Sequence, residues 1–323
     1  MKRRFISLVY LIVCGGIAFC QVPEKAARVI DYFPKEKDVD NYGAFLNGGA
    51  RFVSDKSSIY FCDQDENRIL VFDLDGRYIK SFGRRGQGPG EFNNPLNIDI
   101  FNNELVITDN FNARIQTWSL QGQYLRQIKL VSSFFNMVIT RGNIIISNPM
   151  KLLKEIDFKD RSNIEIYDMN GNLRNKIIDP FSYETNMIIE NDVSMQSYEN
   201  GFYCLQNHGL EFRTYDHEGK RINSIVLRYD PRKDKEYSKL KYSYTYICFY
   251  CIDDLIYAPV AWMGKIVVAV FNMKGEHIYN YVCRMSEEKA IYSVSSLKLI
   301  IKEKKYLYLL LRTPELKFLI LEV

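Results

Sequence analysis

Residues 69–100 read ILVFDLDGRYIKSFGRRGQGPGEFNNPLNIDI. Two strand-like runs flank Asp75-Gly76, and a glycine that tolerates positive φ between such runs signals a hairpin closed by a two-residue turn. A second glycine cluster follows at once: Gly83, Gly86, Gly88 and Gly90, with Pro89 beside them and Arg84 and Arg85 in their midst. Such a loop is either a phosphate cradle or a crossover between repeated units. A cradle requires a helix directly after the loop. Here the chain continues as the strand-like LNIDIF, so the loop is expected to be a crossover that turns sharply on its glycines.

The hairpin recurs. IQTWSLQGQYLRQIKL (115–130), IEIYDMNGNLRNKII (164–178), LEFRTYDHEGKRINSIVL (210–227) and KIVVAVFNMKGEHIYNYV (265–282) each surround a turn glycine. The glycines at 76, 122, 171, 219 and 275 are spaced by 46 to 56 residues, the period of propeller blades. Two further strand-like runs precede each hairpin, such as VSMQSY and GFYCLQ before the fourth. With the strands of a unit labelled A to D, four antiparallel strands make one blade. The C-terminal segment supplies strands A, B and C of a last unit and then ends. ARVIDYF (27–33) is a spare strand that would complete it and remove an open edge. The expectation is an all-β, six-bladed β-propeller of four-stranded antiparallel blades, spanning 21–323, with the last blade closed by the N-terminal strand.

Residues 1–20 have the layout of a secretory signal peptide: Lys2, Arg3 and Arg4, an apolar run from Phe5 to Phe19, and Ala18-Phe19-Cys20 before a cut at Gln21. The run is short for a bilayer-spanning helix, so no transmembrane segment is expected after cleavage. Export to the periplasm or cell surface follows, with lipid anchoring at Cys20 as the alternative. Loss of the leader removes three of the 43 basic residues and none of the 39 acidic ones, leaving 40 − 39 = +1. No global basic field remains for nucleic acid. Outside the leader, Cys62, Cys204, Cys248, Cys251 and Cys283 are odd in number and scattered, which is not a disulfide framework. Cys248-Phe-Tyr-Cys251 lies in an apolar run without a second pair or a nearby histidine and is expected to be buried rather than metal-binding.

Asp109, Asn112 and Arg114, followed by Ile115, have the D-x-x-N-x-R-I spacing of the NHL repeat, and Asp63 and Arg68 keep its outer pair. Residues 60–125 thus resemble NHL repeats. The whole chain, with its leader and unit count, resembles the secreted bacterial six-bladed β-propeller family. The charged pairs Asp63–Arg68 and Asp109–Arg114 are expected to join neighbouring blades.

Strand alternation puts the A–B and C–D turns on one face and the longer B–C and D–A connections on the other. Long loops on a rigid scaffold mark the binding face. The candidate ligand-binding residues there are Trp262, the alternating Tyr242, Tyr244 and Tyr246, and Arg84 and Arg85. The expected function is non-enzymatic binding of a glycan, peptide or protein at the cell envelope, with no cofactor. The alternative, implied by the likeness to propeller lactonases and lyases, is an enzyme with calcium in the central channel. Its candidate ligands are Asn47, Asn97, Asp99 and Asn136. Only three histidines occur, His208, His217 and His277, and no nucleophile or zinc motif accompanies them.

Overall fold

The computed structural model describes residues 23–33, 51–130, 136–147, 164–179, 193–206, 210–229, 248–262, 265–284, 293–301, 305–312 and 317–322. The N-terminal strands are β1 (Glu24–Ala26) and β2 (Arg28–Phe33). The first sheet then holds β3 (Phe52–Ser54), β4 (Ser58–Asp63), β5 (Arg68–Asp73) and β6 (Tyr78–Phe82). The second holds β7 (Pro95–Phe101), β8 (Glu104–Asp109), β9 (Arg114–Ser119) and β10 (Tyr124–Lys129). The third holds β11 (Asn136–Thr140), β12 (Asn143–Ser147), β13 (Ile164–Asp168) and β14 (Leu173–Ile177). The fourth holds β15 (Val193–Tyr198), β16 (Gly201–Gln206), β17 (Glu211–Asp216) and β18 (Arg221–Val226). Next come β19 (Tyr250–Ile252), β20 (Leu255–Trp262), β21 (Lys265–Asn272) and β22 (His277–Arg284), then β23 (Ser293–Ile301), β24 (Lys305–Arg312) and β25 (Lys317–Glu322).

The chain is an all-β propeller whose blades are four-stranded antiparallel meanders. Among the described residues five sheets have four strands, and the sheet of β19–β22 has a fifth. That sheet departs from the uniform pattern expected, because β1 adds in parallel to β22, with Lys25 opposite Tyr281. The chain then crosses directly to β2, which pairs antiparallel with β25 from Arg28 opposite Glu322 to Phe33 opposite Phe318. The N-terminal segment therefore fastens two sheets at once. Lys25 Nζ also stands 3.6 Å over the Tyr279 ring.

Two kinds of turn close the short-loop face. The A–B hairpins at Asn102-Asn103, Arg141-Gly142 and Asp253-Asp254 have positive φ at both central residues, the two-residue geometry that matches strand twist. The C–D hairpins differ from the two-residue turn expected of them. In each, the glycine amide donates to the carbonyl three residues back, as Gly219 does to Asp216 at 3.2 Å, and the ladder shifts register beside it. This is a type I turn followed by a left-handed glycine and a bulge. The Asx residue opening it fastens the loop: Asp216 Oδ1 accepts the amides of Glu218 (3.1 Å) and Lys220 (2.7 Å). Asp73, Asp168 and Asn272 do the same in their sheets. Gly219 is demanded twice over, since its φ is +84° and a Cβ there would lie 2.5 Å from Ile177 Cδ1 of the preceding sheet.

Burial falls from the middle strands outward. β5 and β17 are buried over their central residues, whereas β18 is exposed along almost its whole length. The outer strands YLRQIK and LRNKI carry the polar and basic residues that blunt an open edge. The apolar core lies in the seams between successive sheets. Tyr60, Cys62, Ile69 and Val71 of the first sheet pack with Ile98, Leu105, Ile107 and Trp118 of the second. Similar clusters join the second to the third, the third to the fourth and the fourth to the fifth sheet, and Leu309 of β24 closes on the sheet of β19–β22.

Candidate functional site

The glycine loop 83–92 is a crossover, from β6 to β7. Its amides are spent internally: Gly86 donates to Phe92 O (2.9 Å), Gly88 to Glu91 Oε2 (2.9 Å) and Gly90 to Gln116 Oε1 (3.2 Å). A phosphate cradle needs those amides free. The carbonyls instead turn inward onto one guanidinium. Arg114 donates to Gln87 O at 2.9 Å, Gly88 O at 2.8 Å and Glu91 O at 2.7 Å, and to Asp109 Oδ2 at 2.7 Å. Asn112 Nδ2 adds Gly86 O and Asp109 Oδ2, both at 2.9 Å. The D-x-x-N-x-R spacing is thus a clamp that holds the incoming crossover against its own blade. The pairs Asp109–Arg114 and Asp63–Arg68 each lie opposite one another on adjacent strands of a single sheet, which corrects the inter-blade placement expected for them. The fourth sheet has an analogous clamp: Arg213 donates to Asp179 O (2.6 Å), and Tyr215 Oη to Asp179 Oδ2 (2.9 Å).

Around the axis, polar side chains tie three of the inner strands each to the next. Asp99 of β7 accepts the Ile139 amide of β11 at 3.0 Å. Asn136 of β11 donates to Val193 O of β15 at 2.6 Å. Gln196 of β15 exchanges two bonds with the Cys251 backbone of β19, at 2.8 and 2.6 Å. Between these strands lies a partly open cavity of about 260 Å3, lined by residues 51–53, 97–99, 136–138, 194–197 and 248–250. Its lining comes mainly from the starts of the inner strands, where the D–A crossovers deliver the chain. Arg51 crosses it, donating to Asn136 Oδ1 in the third sheet. Burial pushes the Cys248 thiol up to about 12, with the Arg51 charge opposing.

A family model described as "Domain of unknown function (DUF4934)" matches residues 41–208, more than half of the chain. The chain belongs to the DUF4934 family. The match takes in the Asp109–Arg114 clamp, and it is to this family rather than to an NHL-repeat family. Among solved structures, this DUF4934 chain is similar to a candidate exported protein from Bacteroides fragilis, at 10% identity over 93% of this chain and 98% of that one, with a TM-score of 0.59. It is likewise similar to a DUF4221-family member from Bacteroides vulgatus, at 12% identity over 92% and 96% of the two chains, with a TM-score of 0.59. At these identities the likeness is one of fold.

On this DUF4934 framework the expected site residues separate. Arg84 is a brace: its guanidinium pairs with Glu91, Nη2 to Oε1, at 2.9 Å while remaining 81% exposed. The Gly88 amide, and then Arg84, hold the Glu91 carboxyl below its ordinary range. Arg85 is exposed on the same loop. Trp262 ends β20 opposite Lys265, and its side chain lies outside the described residues, as do Tyr242, Tyr244, Tyr246, Asn47 and His208. Asn97, Asp99 and Asn136 do converge on the cavity, yet they do not suit calcium. Both Asp99 oxygens accept amides, from Ile100 and Ile139, Asn136 Oδ1 accepts from Arg51, and a guanidinium in the same cavity repels a dication. Among the described residues, no three His, Cys, Asp or Glu side chains are placed to hold a metal, and no helix is long and apolar enough to cross a membrane.

Of the two described histidines at the short-turn face, His217 is buried and His277 half-buried. His217 Nδ1 contacts Thr140 Oγ1 at 2.5 Å, and His277 Nε2 contacts Asn280 Oδ1 at 2.7 Å with its ring stacked on Tyr229. The five described cysteines are buried and form no disulfide with one another. Two residues of the opposite face, built by the B–C and D–A connections, escaped the sequence reading. Arg51 gave no signal, because it precedes a strand by one position in no motif. Phe111 lies inside the D-x-x-N-x-R segment, on the 3-10 turn Asn110–Asn112, and is 69% exposed beside the crossover.

Proposed function

We propose that this chain is a non-enzymatic binding propeller, exported to the cell envelope, that takes a glycan, peptide or protein partner on the face built by its B–C and D–A connections and the adjoining channel mouth. Each of its sheets is read as one blade, which makes a six-bladed ring, and its blades are read as kin to NHL repeats through the Asp109–Arg114 clamp. The observation that carries the binding role is the clamp itself. It fixes the 83–92 crossover and the Asn110–Asn112 turn as one rigid surface, and that surface presents Arg85 and an exposed Phe111 rather than an acid–base pair. Preorganised loops with an aromatic anchor bind at low ordering cost. The layout of residues 1–20 supports export, and the B. fragilis fold neighbour is itself a candidate exported protein.

The test is a glycan- and peptide-array screen with the exported chain, repeated with Trp262→Ala and Phe111→Ala. Loss of an anchoring aromatic costs about 2 kcal/mol or more of binding, roughly thirtyfold in affinity. Array binding that falls in either variant while its melting temperature holds supports this reading. No array binding by the wild type, or turnover of an array compound, contradicts it.

A further inference from the structure

We propose that the 83–92 crossover and the Asn110–Asn112 turn bind an acidic oligosaccharide, with the Phe111 ring as the platform for one sugar ring and the Arg85 guanidinium as the partner of an anionic group on the next. The inference rests on the binding reading above and names the ligand class of this part of the face. Arg85 and Phe111 flank a single segment of chain. Arg85 bridges in parallel to Phe92, and the Phe111 amide donates to Asn93 O at 3.1 Å. At ordinary strand spacing this sets the two backbones roughly 10 Å apart, the span of two linked sugar rings. Both residues are exposed, Phe111 by 69%.

The two arginines of the loop are not equivalent. Arg84 is paired with Glu91, whereas Arg85 forms no ion pair among the described residues. Its guanidinium is open to a carboxylate or a sulfate ester, and an ionised acceptor makes the shorter and stronger bond. The backbone between Arg85 and Phe111 is closed. Phe92 donates to Arg84 O (2.7 Å), Asn93 to Asp109 Oδ1 (2.6 Å) and Asn94 to Asn67 Oδ1 (2.8 Å), while their carbonyls accept the amides of Gly86, Phe111 and Asn110. A peptide recognised as an added strand needs a free edge, and 92–94 has none. Recognition therefore falls to side chains. The apolar C–H face of a pyranose suits an aromatic face, and the exposed Gln87 amide offers both donors and an acceptor to hydroxyls. Asp65 and Glu66 are exposed on the 63–67 connection, which borders the surface through Asn67. They oppose a dense polyanion, so the fitting ligand carries an acidic unit beside neutral ones.

The experiment is titration calorimetry of the full exported chain with matched sugars: sialyllactose and sulfolactose against lactose, and glucuronosyl-xylobiose against xylotriose. At least one acidic sugar is expected to bind about threefold or more tighter than its neutral counterpart, and Arg85→Gln to remove that preference. Phe111→Ala is expected to weaken the acidic sugar by at least about tenfold, with both variants melting as the wild type does. Preference for sialyllactose or glucuronosyl-xylobiose identifies a sugar carboxylate, and preference for sulfolactose a sulfate ester; either supports the site. Absence of any acidic preference in the wild type, a preference that survives Arg85→Gln, or unchanged affinity in Phe111→Ala overturns it. Array binding that persists without acidic preference removes this inference and leaves the binding role standing, whereas absence of array binding removes the binding role.

Discussion

Arg114 Nε stands 2.7 Å from Asp109 Oδ2, and the two side chains are only 7% and 0% exposed. Every described donor of that guanidinium has an acceptor, three of them carbonyls of the crossover. Removing one partner strands the other in a low-dielectric seam. Asp109→Ala and Arg114→Ala are each expected to cost about 3–5 kcal/mol, as for other broken buried pairs. Arg68 of the first sheet is 22% exposed, so Arg68→Ala should cost less. Urea unfolding of the three variants checks the order.

The turn glycines separate two kinds of strain. Gly142 and Gly219 have similar φ, +76° and +84°, but a Cβ on Gly142 would meet Phe101 only at an ordinary 3.8 Å, whereas one on Gly219 would press on Ile177 and Ile166 of the preceding sheet. Gly142→Ala should cost about 1–2 kcal/mol for the left-handed backbone. Gly219→Ala should add about 1–3 kcal/mol of overpacking. Equal melting temperatures for the two variants would refute the inter-sheet contact.

Closure of the ring predicts a graded response to truncation. Removal of residues 21–26 strips β1 from the edge of β22, and removal of 21–33 also strips β2 from β25. The shorter deletion should lower the melting temperature and leave a monomer. The longer one exposes the β25 edge and should promote association, read by light scattering.

Much of this architecture was legible in the chain because local chemistry repeats. The glycine spacing, the apolar runs around it and the spare N-terminal strand all report on contacts within a blade or at its edge. Where the reading went astray, the deciding contact was remote or subtle. The C–D turn type depends on the Asx side chain and on which glycine position turns left-handed. The parallel seating of β1 on β22 joins residues far apart in sequence, and Glu24–Ala26 carries no pattern of its own. The clamp motif was visible, but not its target, since Arg114 reads backbone carbonyls, which no side-chain pattern encodes. Arg51 was silent for the same reason: its partner Asn136 is 85 residues away, across the axis.

Acid should act at Asp168. Its carboxyl accepts Asn172 Nδ2 and two turn amides, with Arg174 Nη2 at 2.7 Å. The Asn172 bonds first, with the turn amide and Arg174 contributing, hold its pKa down to about 2 from an ordinary 3.8. A lowered carboxylate pKa contributes stability that is fully present above the unfolded value and is lost as pH falls through the folded one. Wild type should therefore exceed Asp168→Asn in urea midpoint above about pH 5, with the gap closing between about pH 4 and 2. A gap that stays constant across that window would contradict the assignment.

The working face is open to direct measurement by hydrogen–deuterium exchange of the wild-type chain with and without a partner taken from the array screen. The account predicts added protection in peptides spanning 84–93, 110–113 and the cavity-lining starts of the inner strands, with the C–D turns at 73–77, 119–123, 168–172, 216–220 and 272–276 unchanged. Protection confined to those five turns, with the crossover and inner strands unaffected, would place binding on the opposite face and contradict the account.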